Sequence, residues 1–345
     1  MAEGNGKTVL VTGGSGYLGG WLVVLMLERG YRVRTTVRNP SREPEVRAAV
    51  GTKTDAHERL SVHSADLLSD EHWDRVTEGC DYVLHVASPL PESQPKDPNE
   101  LIVPAREGTL RVLRAALDAG VERVVLTSSV AAIRGGNEGT GRSLSESDWT
   151  DLSAPKLTPY VQSKTLAERA AWELADERGM RDRVATVNPG VIIGPLLSDD
   201  RSVSLQAIER LLNGLPGMPR LGFNYVDVRD VADMQLLALT KPEAGGQRFI
   251  AVTAFLWMSE VAQILRERLG DDASRVPTRT VPDLLVRAMS IFDGGIRSFT
   301  GSLGKRTDYD TSNARERLGW SPRQIEDSIA ESAQDLIDRG LVKAG

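Results

Sequence analysis

Thr8-Val9-Leu10-Val11-Thr12-Gly13-Gly14-Ser15-Gly16-Tyr17-Leu18-Gly19 decides how the rest of the chain is read. Thr8 to Thr12 is a short apolar run ending in a glycine cluster, the pattern of a strand buried on both faces of a parallel sheet. Leu18, Trp21, Leu22, Leu25 and Met26 then recur at helical spacing, and Gly30 is placed to end that helix. The glycines between them match GxGxxG from Gly14 and GxxGxxG from Gly13. Glycine lets the chain turn tightly and brings backbone amides against a pyrophosphate, whose charge a helix N-terminus favours. Strand, glycine loop and helix in direct succession predict a dinucleotide site.

The alternation continues outward from this unit. Further strands are predicted at Arg32 to Val37, Leu60 to His63, Tyr82 to Val86, Val124 to Thr127 and Arg183 to Val187. Helical stretches lie between them, around Asp70–Glu78, Asn99–Ala119 and Tyr160–Arg178. Strands alternating with helices imply an α/β fold, a Rossmann-type doubly wound parallel sheet covered on both faces. After Pro189 the rhythm changes. Pro189, Gly190, Gly194 and Pro195 punctuate a loop, and Asn213 to Gly222 is rich in glycine and proline. Asp227 to Leu239 reads as a helix and Arg248 to Val252 as a strand. Ser259 to Leu269 reads as a helix with a serine N-cap and Gly270 beyond it. The tail to Gly345 mixes short helices and loops. The expected division is a dinucleotide-binding domain over 1–189, to which 224–252 returns, and a smaller, discontinuous substrate-binding domain over 190–345.

Composition narrows the function. The 345 residues are 40% hydrophobic and 26% charged, as in ordinary globular proteins. The strongest apolar run, Trp21 to Leu27, is far short of the ~20 residues that span a bilayer. No basic region followed by an apolar segment opens the chain, so a cytoplasmic protein is expected. The net charge of −6 is mixed along the sequence, which argues against nucleic acid as a partner. The four histidines, His57, His63, His72 and His85, have no ligand-like spacing, so no metal is predicted. His85, in an apolar run, reads as a core residue, and the single Cys80 as a small buried one.

The end of the second strand bears on cofactor choice. An NAD site places an acidic residue there to hold the ribose 2′-hydroxyl. This chain has Val37-Arg38-Asn39-Pro40, and a guanidinium can pair with a 2′-phosphate, so NADPH is the expected cofactor. Tyr160 and Lys164 are four residues apart at the start of a helical stretch and share one face. A phenol is a poor acid near neutrality unless a nearby cation assists it, and a lysine one turn away can do so. The preceding strand ends in Thr127-Ser128-Ser129, where a hydroxyl can orient a carbonyl oxygen as negative charge develops on it.

TGGSGYLG at the start, TSSVAA from Thr127, PYVQSK from Pro159 and NPGVIIGP from Asn188 resemble, in that order and spacing, the extended short-chain dehydrogenase/reductases. VRNP from Val37, ESDWTD at Glu146–Asp151, YVDVRDVAD at Tyr225–Asp233 and LGWSPR at Leu318–Arg323 extend the likeness to the dihydroflavonol-reductase-like branch, which includes microbial aldehyde and ketone reductases. The resemblance implies Ser129 as the catalytic serine, Tyr160 as proton donor and Lys164 as its partner. It implies that Gly13, Gly16, Tyr17 and Leu18 form the pyrophosphate loop and that Arg38 reads the 2′-phosphate. Asp66 and Leu67 match the adenine-side pair. Val86, Ala87, Ser88 and Thr127 match the strand ends near the ribose, and Pro189, Gly190 and Val191 the segment facing the nicotinamide. Plant members often carry a second basic residue seven positions after the arginine. Here that position is Glu45, with Arg42 nearby, and Arg134 stands five residues past Ser129 where flavonoid reductases hold an asparagine.

The expected substrate is a hydrophobic ketone, keto ester or aldehyde. Pro89, Leu90, Val130 and Met218 are taken as its lining, together with Val191, Leu196, Leu197, Leu215 and Pro219. A sugar-nucleotide pocket would need phosphate-pairing groups, for which Arg134, Arg201 and Arg220 are the candidates. The alternatives in the same superfamily are a nucleotide-sugar epimerase and a hydroxysteroid dehydrogenase. A non-catalytic NADP-binding sensor is the alternative of another class. The chain is expected to act as a monomer or homodimer.

Overall fold

The computed structural model describes residues 4–89, 95, 97–199, 203–291 and 300–342, except for the side chains of His57 and Met289. Strand β1 (Thr8–Val11) runs into helix α1 (Tyr17–Glu28), whose Leu18, Leu22, Val23, Val24, Met26 and Leu27 are all buried. Near-complete apolarity of this kind belongs to a helix pressed between other elements. Gly30 ends the unit at φ +87°, which a glycine reaches without strain. Then follow β2 (Arg32–Val37), α2 (Glu43–Gly51), β3 (Leu60–Ser64), α3 (Trp73–Thr77) and β4 (Tyr82–His85). The unit continues through α4 (Asn99–Asp118), β5 (Arg123–Thr127), the one-turn α5 (Ala131–Arg134), α6 (Pro159–Glu177) and β6 (Val184–Pro189).

Beyond Pro189 come β7 (Val191–Ile193), α7 (Gln206–Leu212), β8 (Met218–Pro219), β9 (Gly222–Asp227), α8 (Val228–Thr240) and β10 (Arg248–Ala251). They are followed by β11 (Ala254–Trp257), α9 (Met258–Leu269), β12 (Thr280–Val281), α10 (Asp283–Met289), α11 (Ser312–Leu318) and α12 (Ile325–Asp338). The seven-stranded sheet has the order β10-β6-β5-β4-β1-β2-β3, and each of its pairings is parallel. This is the doubly wound arrangement expected. Its order reverses between β1 and β4, the kind of place where ligands lodge at the carboxyl ends of strands.

β10 lies at one edge of this sheet. A three-stranded sheet, β11-β9-β7, and the β12–β8 pair stand beside it. One apolar core joins α1 and α8 to the large sheet, and a second lies among Ile193, Ile208, Leu212, Val261, Leu265 and Ile329. Two bonds fasten α1 to the segment between the cores. The Tyr17 hydroxyl donates to Gly194 O at 2.7 Å, and Trp21 Nε1 donates to Pro195 O at 2.9 Å.

Local side-chain chemistry moved some predicted boundaries. The helix expected over 70–78 begins only at Trp73, because Asp66 and Ser69 oxygens accept the Leu68 and Glu71 amides and His72 sits at φ +73°. Such bonds compete with a helix for its first amides. Ser259 does not cap α9. The helix starts at Met258, and Glu260 reaches back to the Trp257 amide at 2.7 Å. The tail ends in a regular 14-residue helix, α12, not in short pieces alone. Its Ile325, Ile329, Ala333 and Leu336 form a buried stripe at helical spacing.

Candidate active site

The glycine loop is shaped by crowding. A Cβ on Gly14 would stand 2.1 Å from Thr35 Oγ1, and one on Gly19 would stand 2.2 Å from Gly13 O. Gly13, at φ +74°, passes 3.1 Å from Ala87 by the same construction and donates its amide to Thr36 Oγ1. Gly16 is the N-cap of α1, so the unpaired amides of its first turn open beside the loop. These features fit a pyrophosphate, because any side chain there would fill the cradle. Leu18 is buried. The Tyr17 hydroxyl is spent on Gly194, and its ring packs against both apolar cores. Tyr17 therefore has its backbone to offer at the loop.

Arg38 is exposed just past β2, and its guanidinium makes no hydrogen bond or ion pair among the described residues. Arg42 donates to Ser15 Oγ at 3.3 Å, which puts its guanidinium at the glycine loop. It is also held by both Glu45 oxygens, at 2.9 and 2.7 Å. The fit to a 2′-phosphate is thus a cationic edge with one carboxylate in it. Asp66 Oδ1 closes a turn on the Leu68 amide, and Leu67 packs against Gly108 on α4.

Between the ends of β4 and β5 and the face of α6 lies a narrow cleft open to solvent. It is lined by Ala87, Ser88, Thr109, Thr127, Ser128 and Lys164, among others. Lys164 stands one helical turn after Tyr160, which opens α6 behind Pro159 with Thr158 as the N-cap. Ser129 Oγ accepts the Ala131 amide at 3.1 Å and lies 3.5 Å from Pro189 O. The Val130 amide donates to Pro189 O at 3.0 Å, so β5 and β6 are joined where their carboxyl ends meet the cavity. Gly190 is pinned on the opposite side to Ala251 O, and a Cβ there would strike Asn224 O at 2.3 Å. Val86 and Ala87 donate their amides to Thr12 Oγ1, both at 3.0 Å. Val191 is half-buried against the second core.

The expected apolar lining divides. Pro89 and Val130 are half-buried beside the cavity-forming segments, while Leu90 and Arg201 lie outside the described residues. Met218 is 2% exposed inside the second core, with its amide bonded to Arg279 O, and so offers a substrate no surface. Leu196 and Leu197 are likewise core residues, buried against the second and first core respectively. Apolarity alone did not separate packing from lining. Arg220 is paired with Asp283 at 2.7 Å, and the buried Arg134 Nε has no hydrogen-bond partner among the described residues.

Glu168, Asn188 and Arg248 were given no role at the site from the sequence. All three are buried, and Asn188 and Arg248 each donate to Glu168 beneath Ser129. One signal was available: Glu168 falls on the small-residue face of α6, one turn past Lys164. His85 is a core residue as expected, although its Nε2 has no partner among the described residues. Cys80 is buried as well.

A glycine-cradled helix N-terminus at the switch point of a doubly wound sheet, beside a tyrosine–lysine pair and a serine, defines a Rossmann-type oxidoreductase. The chain belongs to the NAD dependent epimerase/dehydratase family, the extended short-chain dehydrogenase/reductases, whose family profile matches residues 9–252. It is 43% identical to the cinnamoyl-CoA reductase CAD2 of Medicago truncatula over 80% of this chain and 88% of that protein. It is 36% identical to cinnamoyl-CoA reductase 2 of Arabidopsis thaliana over 97% of this chain and 94% of that protein. Among solved structures it resembles the yeast methylglyoxal/isovaleraldehyde reductase Gre2 complexed with NADPH. The TM-score is 0.81 at 27% identity, covering 97% of this chain and 100% of that one.

Proposed function

We propose that the protein is an NADPH-dependent reductase that converts a hydrophobic ketone, keto ester or aldehyde to the alcohol. The observation that carries this reading is the convergence on one cavity of Lys164, one turn below Tyr160, with Thr127 and Ser128 and with Ala87 and Ser88. The glycine loop holds the pyrophosphate, Arg38 the 2′-phosphate, Asp66 and Leu67 the adenine side, and Pro189 to Val191 border the nicotinamide. NADPH, when bound, supplies the hydride. Ser129 donates a hydrogen bond to the substrate's carbonyl oxygen, and Tyr160 delivers the proton that completes the alcohol. Lys164 supports Tyr160 electrostatically and holds the nicotinamide ribose. The neighbour named as a methylglyoxal/isovaleraldehyde reductase supports a carbonyl substrate, while the relatives named as cinnamoyl-CoA reductases, whose named substrate is a thioester, support the reductase class alone.

A sugar nucleotide fits less well, since Arg220 is already neutralised by Asp283. The comparison that tests the reading is NADPH consumption with an aryl ketone, keto ester or aldehyde, set beside interconversion of UDP-sugars. Consumption with several unrelated hydrophobic carbonyls is expected. UDP-sugar turnover without carbonyl reduction would reject the proposal.

Cofactor preference is a separate expectation. Arg38→Ala raises the Michaelis constant for NADPH at least tenfold and leaves that for NADH nearly unchanged, because charge-assisted bonds of ~1.5–3 kcal/mol each are lost from one cofactor only. Steady-state kinetics with both cofactors measure it, and equal use of the two by the unmodified protein would refute it.

A further inference from the structure

Segments from across the site meet at one carboxylate. Glu168 lies one helical turn past Lys164 and two past Tyr160 on α6, with its side chain fully enclosed. Its Oε1 accepts Arg248 Nε of β10 at 2.7 Å and the Thr186 hydroxyl of β6 at 3.0 Å. Its Oε2 accepts the Ser128 hydroxyl at the end of β5 at 2.5 Å and Asn188 Nδ2 of β6 at 2.8 Å. Asn188 Nδ2 also donates to the backbone oxygen of Ser129 at 3.2 Å. Arg248 carries the chain of bonds outward. Its Nη1 donates to the backbone oxygens of Glu146 and Asp148, and its guanidinium stacks 3.8 Å from the centre of the Trp149 ring.

Burial alone would raise the Glu168 carboxyl. The Arg248 charge, with hydrogen bonds from Arg248, Ser128 and Asn188, takes it below its ordinary value instead. The group is therefore an obligate acceptor, and donors from β5, β6 and β10 fix its orientation from several sides. Ser129 itself is weakly tethered. Its hydroxyl accepts one amide and only grazes Pro189 O at 3.5 Å, so its aim depends on where the backbone of Ser128 and Ser129 is held.

We propose that Glu168 is a positioning residue for the reaction: through Ser128 and Asn188 it sets the backbone that points the Ser129 hydroxyl at the substrate's carbonyl oxygen. The proposal rests on Ser129 having that role. A displacement of about 1 Å in a reacting group can cost 10²-fold in rate, so a partial loosening should be visible in turnover.

Ser128→Ala and Asn188→Ala are the informative variants, because each leaves the Glu168–Arg248 pair intact. Each is expected to lower kcat about tenfold, and Asn188→Ala, whose side chain is not among those lining the cleft, to keep the NADPH dissociation constant, read by fluorescence titration, within about twofold of the parent. Ser129→Ala is measured beside them. In the Ser129→Ala background, Asn188→Ala is expected to cause no further fall in kcat, since the hydroxyl it positions is gone. If Ser129→Ala lowers kcat while Ser128→Ala and Asn188→Ala do not, the positioning role is overturned and the reading of Ser129 stands. Equal further losses in the double variant would mark general loosening and also overturn it. If Ser129→Ala is itself without effect, the reading of the serine fails and the proposal falls with it.

Discussion

Tyr160→Phe lowers the rate of NADPH-dependent carbonyl reduction by 10²- to 10⁴-fold while NADPH binding stays close to that of the parent. The ring that occupies the start of α6 is kept and only the hydroxyl is lost, so the helix and its Thr158 cap stay in place. General acid catalysis contributes on the order of 10²–10⁴ in rate, which sets the size of the effect. Lys164→Ala is expected to behave differently. Lys164 lines the cavity with Ser88 and Thr127, where the ribose is proposed to lie, so both turnover and cofactor affinity fall. Cofactor titration by fluorescence, run alongside steady-state kinetics, separates the two patterns. A Tyr160→Phe protein that kept more than about a tenth of the rate would require a different acid.

Arg229→Leu destabilises the protein by about 3–5 kcal/mol, the usual cost of leaving a buried carboxylate without its cation. The carboxylate is Asp227, whose side chain has no exposed surface. Arg229 grips it through Nε at 2.9 Å and Nη2 at 2.7 Å and also reaches Glu331 on α12 at 2.6 Å. Asp227 further caps α8 by accepting the Arg229 amide at 2.8 Å, so the defect reaches a helix start. Arg323, 3.8 Å away, is the remaining cation, and it is already engaged with Asp230. The sign of the pH dependence follows from burial. In the parent, burial would raise the Asp227 carboxyl, but the bonds and charge of Arg229 bring it below its ordinary value. Without Arg229 burial prevails, so the folded variant takes up a proton more readily than the unfolded chain. Its deficit is then greatest near neutrality and shrinks on acidification. Denaturant midpoints at two pH values measure both effects, and a loss below about 1 kcal/mol at neutral pH would refute the assignment.

What could be read in the sequence was what neighbours along the chain decide. Strand, glycine loop and helix occupy consecutive residues from Thr8 to Glu28, and the positive φ of Gly13 and the crowding at Gly14 and Gly19 arise within or beside that unit. Tyr160 and Lys164 lie on one helix, so their spacing alone places them on one face. Glu168 and Arg248 are 80 residues apart and meet only because β10 pairs with β6. No local pattern announces such a pair. Met218 failed for another reason. An apolar side chain in a glycine- and proline-rich stretch reads the same whether it lines a cleft or fills a core, and the β8–β12 pairing is what encloses it. Ser259 lost the α9 cap to Glu260, which satisfies the Trp257 amide from inside the helix.

The Thr12 hydroxyl has a consequence for how the protein answers to acid. Both of its acceptor positions are taken by the Val86 and Ala87 amides, so its one proton goes to His85 Nδ1, 2.9 Å away. The imidazole proton therefore resides on Nε2. Burial, assisted by the nearby Lys164 charge, lowers this histidine to about 3. His85 is a silent neighbour of Lys164, neutral and in one tautomer across the ordinary working range, and it contributes no limb to a rate profile near neutrality. Its influence is on the fold instead. As pH falls from about 6.5 towards 3, the unfolded chain accepts a proton that the folded one refuses, and stability is lost across that window. Glu168 and Asp227, both held below their ordinary values, lose their contributions in the same direction as they protonate. Through these three groups acid weakens the fold, against the opposite pull of Asp230, Asp233 and Glu146, whose carboxyls burial raises. The imidazole under the strand ends is one of the places where that weakening enters.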